Sequence, residues 1–233
     1  MWSLSPAETE ALFLSLKVAF WSVAASLPIG VAFAWLLSRR SFPGKSLLDA
    51  VVHLPLVLPP VVIGYFLLLL FGRRGPIGGF LDEYLGITFA FRWTGAALAC
   101  AVMGLPLLIR AVRQSLDAVD RGLESAAATL GASPAWVFAS VTLPLILPGI
   151  VTGMLLSFAR SLGEFGATIT FVSNIPGETQ TLPLAIYTFT QVPGGDAQAM
   201  RLCILSILLS LAALMASELL LRRANVRAAG LDA

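Results

Sequence analysis

The chain has 233 residues, of which 58% are hydrophobic and 12% are charged, and its formal net charge is +2. Soluble domains carry about a quarter charged residues, so this composition excludes an ordinary soluble protein and indicates a chain embedded in a lipid bilayer. A charge of +2 gives no argument for binding nucleic acid. The two cysteines, Cys100 and Cys203, lie in apolar stretches far apart in sequence and read as small core residues.

Five stretches are apolar enough to cross a bilayer, which takes about 20 residues per helix. In chain order they are residues 18–37, 50–72, 93–109, 143–159 and 202–221. The second is uncharged but contains Pro55, Pro59 and Pro60, which predict a kink because proline removes a backbone donor. The sequence therefore predicts an all-α, polytopic membrane protein with about five kinked transmembrane helices in a single domain over residues 1–233.

A sixth apolar stretch, residues 165–193, is interrupted by Asn174, Pro176 and Gly177. Irregular backbone is tolerated in a membrane only where protein or water covers it. This stretch is therefore predicted to be a loop outside the cytoplasm that contains a short interfacial or re-entrant element.

The distribution of lysine and arginine predicts how the chain crosses the membrane. Nine of these residues follow the first, third and fifth spans: Arg39, Arg40, Lys45, Arg110, Arg113, Arg121, Arg222, Arg223 and Arg227. Because cytoplasmic loops are enriched in lysine and arginine, the N-terminus is predicted to lie outside and the C-terminus in the cytoplasm.

A short helix that is atypical of a membrane span follows the third span. Its apolar residues recur at helical spacing: Leu123, Ala126, Ala127 and Leu130. Asp120 is placed to cap its start and Gly131 to end it in a left-handed conformation, while Ser133 and Pro134 would begin a second helix. The pattern predicts two short cytoplasmic helices that meet at a corner. The pattern is consistent with two alternatives: a contact with a partner protein, or an amphipathic connector that lies on lipid headgroups.

The order of residues in this segment resembles the coupling loop of permease subunits of ABC-type importers. The resemblance covers residues 121–144 and depends on Glu124, Ala126, Ala127, Gly131 and the pair Leu143-Pro144. The commonest form has a contiguous Glu-Ala-Ala, whereas Ser125 here separates Glu124 from the alanines. The resemblance implies contact with an ATP-binding cassette subunit through these residues: Leu123, Glu124, Ser125, Ala126, Ala127, Leu130, Gly131, Leu143 and Pro144.

Four further segments, residues 40–45, 53–60, 158–168 and 174–179, resemble molybdate permease subunits of bacterial ABC importers. Sulfate and thiosulfate permeases are similar in part of this region and remain an alternative. The resemblance implies a type I ABC importer permease fold in the inner membrane, transporting molybdate or tungstate. It also implies a second copy of this chain, two ATPase subunits that hydrolyse ATP and a periplasmic oxyanion-binding protein. The permease itself would be no enzyme and would need no cofactor or metal.

A divalent oxyanion cannot cross hydrocarbon without a polar path, and that path must release it again. The candidate path or gate residues are Pro59, Pro60, Ser157, Arg160, Ser161 and Glu164. Arg160 and Glu164 are four residues apart on one helix face, as in a gate or in a neutralising salt bridge. Gly149 and Gly153 form a small-residue pair that weakly indicates a dimer contact.

Other functional classes find little support in the sequence. Gly44-Lys45-Ser46 does not complete a phosphate-binding loop, because position 39 is arginine. His53, the single histidine, reads as a hydrogen-bonded residue near the membrane surface. An ion-coupled secondary transporter would place ionisable groups in the middle of the bilayer and show internal repeats, and neither is evident.

Overall fold

The structure is a computed structural model that describes residues 4–229, with side chains to residue 219 except residue 217. This part of the chain forms eleven α-helices and no β-strand, which confirms the all-α prediction. The helices are α1 Pro6–Arg39, α2 Lys45–His53, α3 Pro60–Phe71, α4 Pro76–Leu85, α5 Trp93–Ala118, α6 Arg121–Thr129, α7 Pro134–Val137, α8 Leu143–Leu162, α9 Gly166–Val172, α10 Leu182–Gln191 and α11 Asp196–Ala229. The predicted membrane orientation also rests on Arg222, Arg223 and Arg227, whose side chains are not among the described ones.

Four helical stretches among the described residues are long and apolar enough to cross a membrane. They are Pro6–Arg39, Trp93–Ala118, Pro134–Leu162 and Asp196–Ala216. These contain the first, third and fourth predicted spans and most of the fifth. Hydropathy located them because a spanning helix must present apolar side chains to lipid along its length.

The second predicted span is not one kinked helix but two helical pieces joined at a sharp bend. Lys45–Leu56 and Pro60–Phe71 meet at 110°. Pro59 precedes α3 and Pro60 is its first residue, so the chain lacks two donors where a continuous helix would need them. The 12 residues of α3 extend about 18 Å, which is less than the hydrocarbon core of about 30 Å. The described chain therefore has four spans, or five if the bent pair is one.

The stretch 165–193 forms two short helices, α9 and α10, separated by irregular backbone at residues 173–181. Neither helix is long enough to span a bilayer, in agreement with the predicted interruption at Asn174 to Gly177. Phe171 and Leu182 are fully buried, so the two helices pack into the bundle instead of forming a surface loop.

The side-chain contacts define the two ends of the bundle. Near the start of α5, Lys17 Nζ of α1 lies 3.7 Å from the centroid of the Trp93 ring. At the other end Ser38, also of α1, donates a hydrogen bond to Asp117. Helices α1 and α5 therefore run parallel, from what we call the Trp93 end to the α6 end.

Helix α8 packs antiparallel on α5 through small residues. A β carbon on Gly149 would lie 2.3 Å from Ser115 Cβ, and one on Gly153 would lie 2.8 Å from Leu108 Cδ1. These glycines allow close packing of α8 on α5 within one chain. They are therefore not free to form the dimer contact that their spacing suggested.

Candidate functional site

The corner formed by α6 and α7 has the predicted caps. Asp120 Oδ1 accepts a hydrogen bond from Gly122 N at 2.8 Å, and the helix ends at Thr129. Gly131 adopts φ +87°, and Ala132 N donates to Ala127 O at 3.3 Å. This left-handed residue with its backward hydrogen bond is a standard helix stop. The predicted start and end of the helix are confirmed.

The second short helix also begins as predicted, but it continues differently. Ser133 Oγ accepts a hydrogen bond from Trp136 N at 3.4 Å, and Pro134 is the first residue of α7. Phe138–Thr142 then forms a π-helical turn that leads directly into α8. Such turns are rare and occur often at functional sites. No feature of the sequence had indicated it.

The corner exposes apolar side chains that no described part of the chain covers. Leu130 is 89% exposed and Leu123 is 51% exposed, and no residue of α6 is buried. Ser125, Ala126 and Gly131 are also exposed. Beyond the corner, Pro144 is exposed and Leu143 is half-buried at the start of α8. The small residues leave room for a partner backbone, and the leucines provide an apolar contact.

Glu124 differs from its neighbours because its carboxylate is bound within the chain. Arg39 Nη2 donates to Glu124 Oε1 at 2.9 Å, and Thr142 Oγ1 donates to the same oxygen at 2.7 Å. Glu124 thus holds α6 against the last turn of α1 and against the π-helical turn before α8. The sequence indicated Arg39 only as a positive charge beside the membrane, so this contact was missed.

A second polar cluster lies at the same end of the bundle. Arg113 Nη1 donates to Asp49 Oδ1 at 3.1 Å, and Arg113 Nε lies 3.8 Å from Asp117 Oδ2. His53 Nδ1 lies 2.9 Å from the carbonyl oxygen of Asp49, which confirms its prediction as a hydrogen-bonded residue. The contact between Arg113 and Asp49 joins α2 to α5.

Arg160 and Glu164 form the predicted pair, with Arg160 Nη1 at 2.7 Å from Glu164 Oε2. Helix α8 ends at Leu162, however, so Glu164 lies in the break before α9 and not on the helix. Its Oε1 accepts a hydrogen bond from Ala167 N at 2.8 Å, in the first turn of α9. The Glu164 side chain is 1% exposed, whereas that of Arg160 is 29% exposed.

This break meets the bend at Pro59 and Pro60. A β carbon on Gly166 would lie 2.8 Å from Pro60 Cβ, and one on Gly64 would lie 2.5 Å from Ala167 O. The starts of α3 and α9 are therefore in close contact. Discontinuous helices that meet inside a bundle are typical of substrate sites in transporters.

Ser157 and Ser161 lie where α8 packs on α5 and α1. Ser161 Oγ is 3.0 Å from Ser22 Oγ and donates to Ser157 O at 2.8 Å. Ser157 is fully buried, and a β carbon on Gly104 would lie 2.2 Å from its Oγ. Both serines thus contribute to packing inside the chain, and their role in a transport path stays a prediction.

Membrane-length helices, two helix breaks in contact and an exposed corner at one end define a multi-pass membrane protein. The chain belongs to the family described as binding-protein-dependent transport system inner membrane component, whose model matches residues 26–226.

Within that family, the chain is homologous to molybdate permeases. It is 60% identical over 225 residues to the Molybdenum transport system permease protein ModB of Escherichia coli (strain K12), covering 97% of this chain and 98% of the relative. It is 57% identical over 216 residues to the protein of the same name from Haemophilus influenzae, covering 93% and 94%.

A solved structure supports the fold. The bacterial alginate ABC transporter, solved in complex with an alginate pentasaccharide-bound periplasmic protein, has a chain that superposes with a TM-score of 0.72 at 16% identity. The match covers 94% of this chain and 80% of that chain. The fold is therefore that of ABC importer permeases, and the chain is a multi-pass inner membrane protein.

Proposed function

We propose that this chain is the permease subunit of an ATP-driven importer that moves molybdate, and also tungstate, across the bacterial inner membrane. The observation that carries the proposal is the 60% identity to a molybdenum permease over 97% of the chain. The chain supplies the path, and separate subunits bind and hydrolyse ATP.

The exposed corner is the proposed contact with the ATPase. Leu123 and Leu130 offer apolar side chains, and the small residues between them let a groove of the partner approach closely. Glu124 acts by positioning, because Arg39 and Thr142 bind its carboxylate. A push on α6 would then pass through Glu124 to α1 and through α7 and Leu143-Pro144 to α8.

The proposed assembly contains two copies of this chain and two ATPase subunits. Helix α3 leaves Val61, Tyr65 and Phe66 more than half exposed, an apolar face suited to lipid or to a second permease. By the positive-inside rule, the excess of arginine and lysine after the first, third and fifth predicted spans favours a cytoplasmic location for the α6 end. The N-terminus then lies outside, and a periplasmic oxyanion-binding protein would dock on the Trp93 end.

The contact between the two helix breaks is the proposed gate. Pro59 and Pro60 bend one wall, and Arg160 can offer a partly exposed positive charge to an oxyanion while Glu164 keeps it oriented. A single paired arginine attracts the anion without the tight binding that several unpaired ones would give. Ser157 and Ser161 would support this wall from behind through the packing of α8.

Reconstitution tests the substrate directly. The permease, its ATPase and its cognate binding protein are placed in vesicles, and ATP hydrolysis and uptake are measured with molybdate, tungstate or sulfate. Molybdate and tungstate should stimulate both activities. Stimulation by sulfate alone would overturn the substrate assignment, and uptake driven by an ion gradient without the ATPase would overturn the class of transporter.

Crosslinking tests the corner. Leu130→Cys should crosslink to the ATPase because its side chain is exposed directly after α6, whereas Ala197→Cys, exposed at the Trp93 end, should not. If the ATPase crosslinks to Ala197→Cys but not to Leu130→Cys, it binds the Trp93 end, and the proposed contact at the corner is wrong.

A further inference from the structure

Two cavities lie side by side at the α6 end and share part of their walls. The first, of about 360 Å³, has three charged residues in its lining, Arg39, Arg40 and Glu124. The second, of about 490 Å³, is an apolar groove between α1 and α7. Trp35, Pro134 and Phe138 line both, so the two form one continuous depression.

The first cavity is positively charged. Two arginines and one glutamate line it, which gives one positive charge in excess. The Arg40 guanidinium carbon lies 5.4 Å from the centroid of the Trp35 ring, and Arg40 makes no ion pair with a described residue. Arg39 pairs with Glu124, but its Nε is buried and has no hydrogen-bond partner among the described residues. Arg40 therefore has donors available for an anion, and Arg39 adds a second positive charge to the lining.

The second cavity is apolar, and residues of the first predicted span line one side of it. Pro28, Val31 and Ala32 line it from α1, and Ala135 lines it from α7. From Trp35 back to Pro28 the groove follows α1 for about 10 Å toward the middle of the span. A polar ligand would find no hydrogen-bond partners in this apolar lining, whereas a hydrocarbon chain would bury its apolar surface against it.

We propose that this depression binds an anionic glycerophospholipid of the membrane, with its phosphate at Arg39 and Arg40 and an acyl chain in the groove along α1. An amphiphile with one negative charge complements both the excess charge and the apolar groove. Basic pockets between membrane helices are known to bind lipid headgroups. The site does not depend on the proposed substrate, and it adjoins Glu124, so a bound lipid would brace the base of the corner.

Photo-crosslinking of the full-length chain in vesicles tests this site. The probe is phosphatidylglycerol with a photoactivatable group in its acyl chain, in a phosphatidylcholine background, and labelled peptides are located by mass spectrometry. Labels should fall on residues 28–35 and 134–138. Unlabelled phosphatidylglycerol should compete, whereas phosphatidylcholine and inorganic phosphate should not.

Matched variants separate specific binding from general contact with lipid. Arg40→Gln should reduce labelling at the groove about fivefold, the effect of one arginine near an anionic surface. Ala32→Trp fills the groove from an exposed position and should abolish labelling there. Arg110→Gln, which removes a charge from a different cavity at the same end, and Ala212→Trp, on an exposed face of α11, should leave labelling unchanged.

Three results would overturn the proposal. The first is equal labelling by a neutral phosphatidylcholine probe, and the second is an equal loss of labelling in Arg110→Gln and Arg40→Gln. The third is a crosslink from the groove to a second permease or to the ATPase in native membranes, because a protein would then occupy the site. Since neither molybdate nor ATP is present in the labelling experiment, its failure is distinct from failure of the transport proposal.

Discussion

Arg39, in the last turn of α1, and Glu124, on α6, form an ion pair of 2.9 Å between residues 85 positions apart in sequence. The pair joins the exposed corner to a helix that spans the whole bundle, and Thr142 extends it to the π-helical turn before α8. In the proposed importer, motion of an ATPase at α6 would reach two membrane helices through one carboxylate.

We therefore expect Glu124→Gln to lower uptake per ATP hydrolysed while the chain still folds and docks. Glutamine can still accept hydrogen bonds from Thr142 and Arg39, but it has no negative charge to attract the Arg39 guanidinium, so α6 is held less firmly. A double-mutant cycle with Arg39→Gln should give a coupling energy of about 1–2 kcal/mol, between that of exposed pairs and that of hydrogen bonds to charged groups. Glu83→Gln, which changes an exposed acid on α4, is the control. If Glu124→Gln takes up as much substrate per ATP hydrolysed as the unmodified protein, the positioning role of Glu124 is excluded.

Gly131 ends α6 at φ +87°, and a β carbon there would meet no atom within 4 Å. A non-proline substitution therefore acts through backbone strain, which is about 1–2 kcal/mol for a side chain in the left-handed region. Proline would also remove the hydrogen bond from Gly131 N to Ala128 O. Gly131→Val should change the angle of the corner and uncouple ATP hydrolysis from uptake, and Gly131→Pro should do so more strongly. Gly131→Asn should remain coupled because asparagine tolerates this conformation. Equal coupling in the valine and asparagine variants would show that the conformation of the corner is unimportant.

Ser157 offers a test that separates packing from transport. Its Oγ is buried without a hydrogen-bond partner among the described residues and lies where a β carbon on Gly104 would be, at 2.2 Å. Gly104→Ala should lower the thermal stability of the detergent-solubilised protein, and adding Ser157→Ala should restore it by removing the blocking oxygen. Gly163→Ala, whose β carbon would meet only Arg160 O at 4.0 Å, is the control.

Ser157→Ala alone should leave stability unchanged or slightly raised, since an unpaired buried hydroxyl costs free energy. Uptake measured in the same variant then reports on the transport path. Normal uptake would remove Ser157 from the path, and reduced uptake at full stability would support its inclusion.

The local features of the corner followed from the sequence because each depends on a few neighbouring residues. Asp120 and Ser133 cap their helices and Gly131 ends α6 by interactions within about five positions. The membrane-length helices were located for a similar reason, since hydropathy is a sum over adjacent residues.

The remaining features depend on contacts between distant segments. Three prolines predicted an interruption near residue 59, but not the 110° angle of the bend or the close contact of α3 with α9, which is distant in sequence. The partner of Glu124 could not be read from the sequence because several arginines lie near the membrane at that end. Gly149 and Gly153 have the spacing of an interface, yet spacing does not tell whether the partner helix belongs to the same chain.

Glu164 makes two contacts that mutation can separate. Its carboxylate both pairs with Arg160 and accepts from Ala167 N, so it fixes the charge of one side chain and the start of α9. Glu164→Ala removes both contacts and leaves Arg160 unpaired, and it should destabilise the protein on the order of 3 kcal/mol. Glu164→Gln keeps an acceptor for Ala167 N and should cost less.

The two roles predict different uptake in Glu164→Gln. If Arg160 orients the oxyanion, loss of the Glu164 charge should strengthen the attraction of Arg160 for the anion and slow its release. The maximal rate of uptake and the substrate concentration that gives half of that rate should then fall together. If the pair is only a salt bridge that neutralises two charges, uptake should fall in proportion to the folded protein recovered. Adding Arg160→Gln decides between them, because removing the free charge should restore release only in the first case.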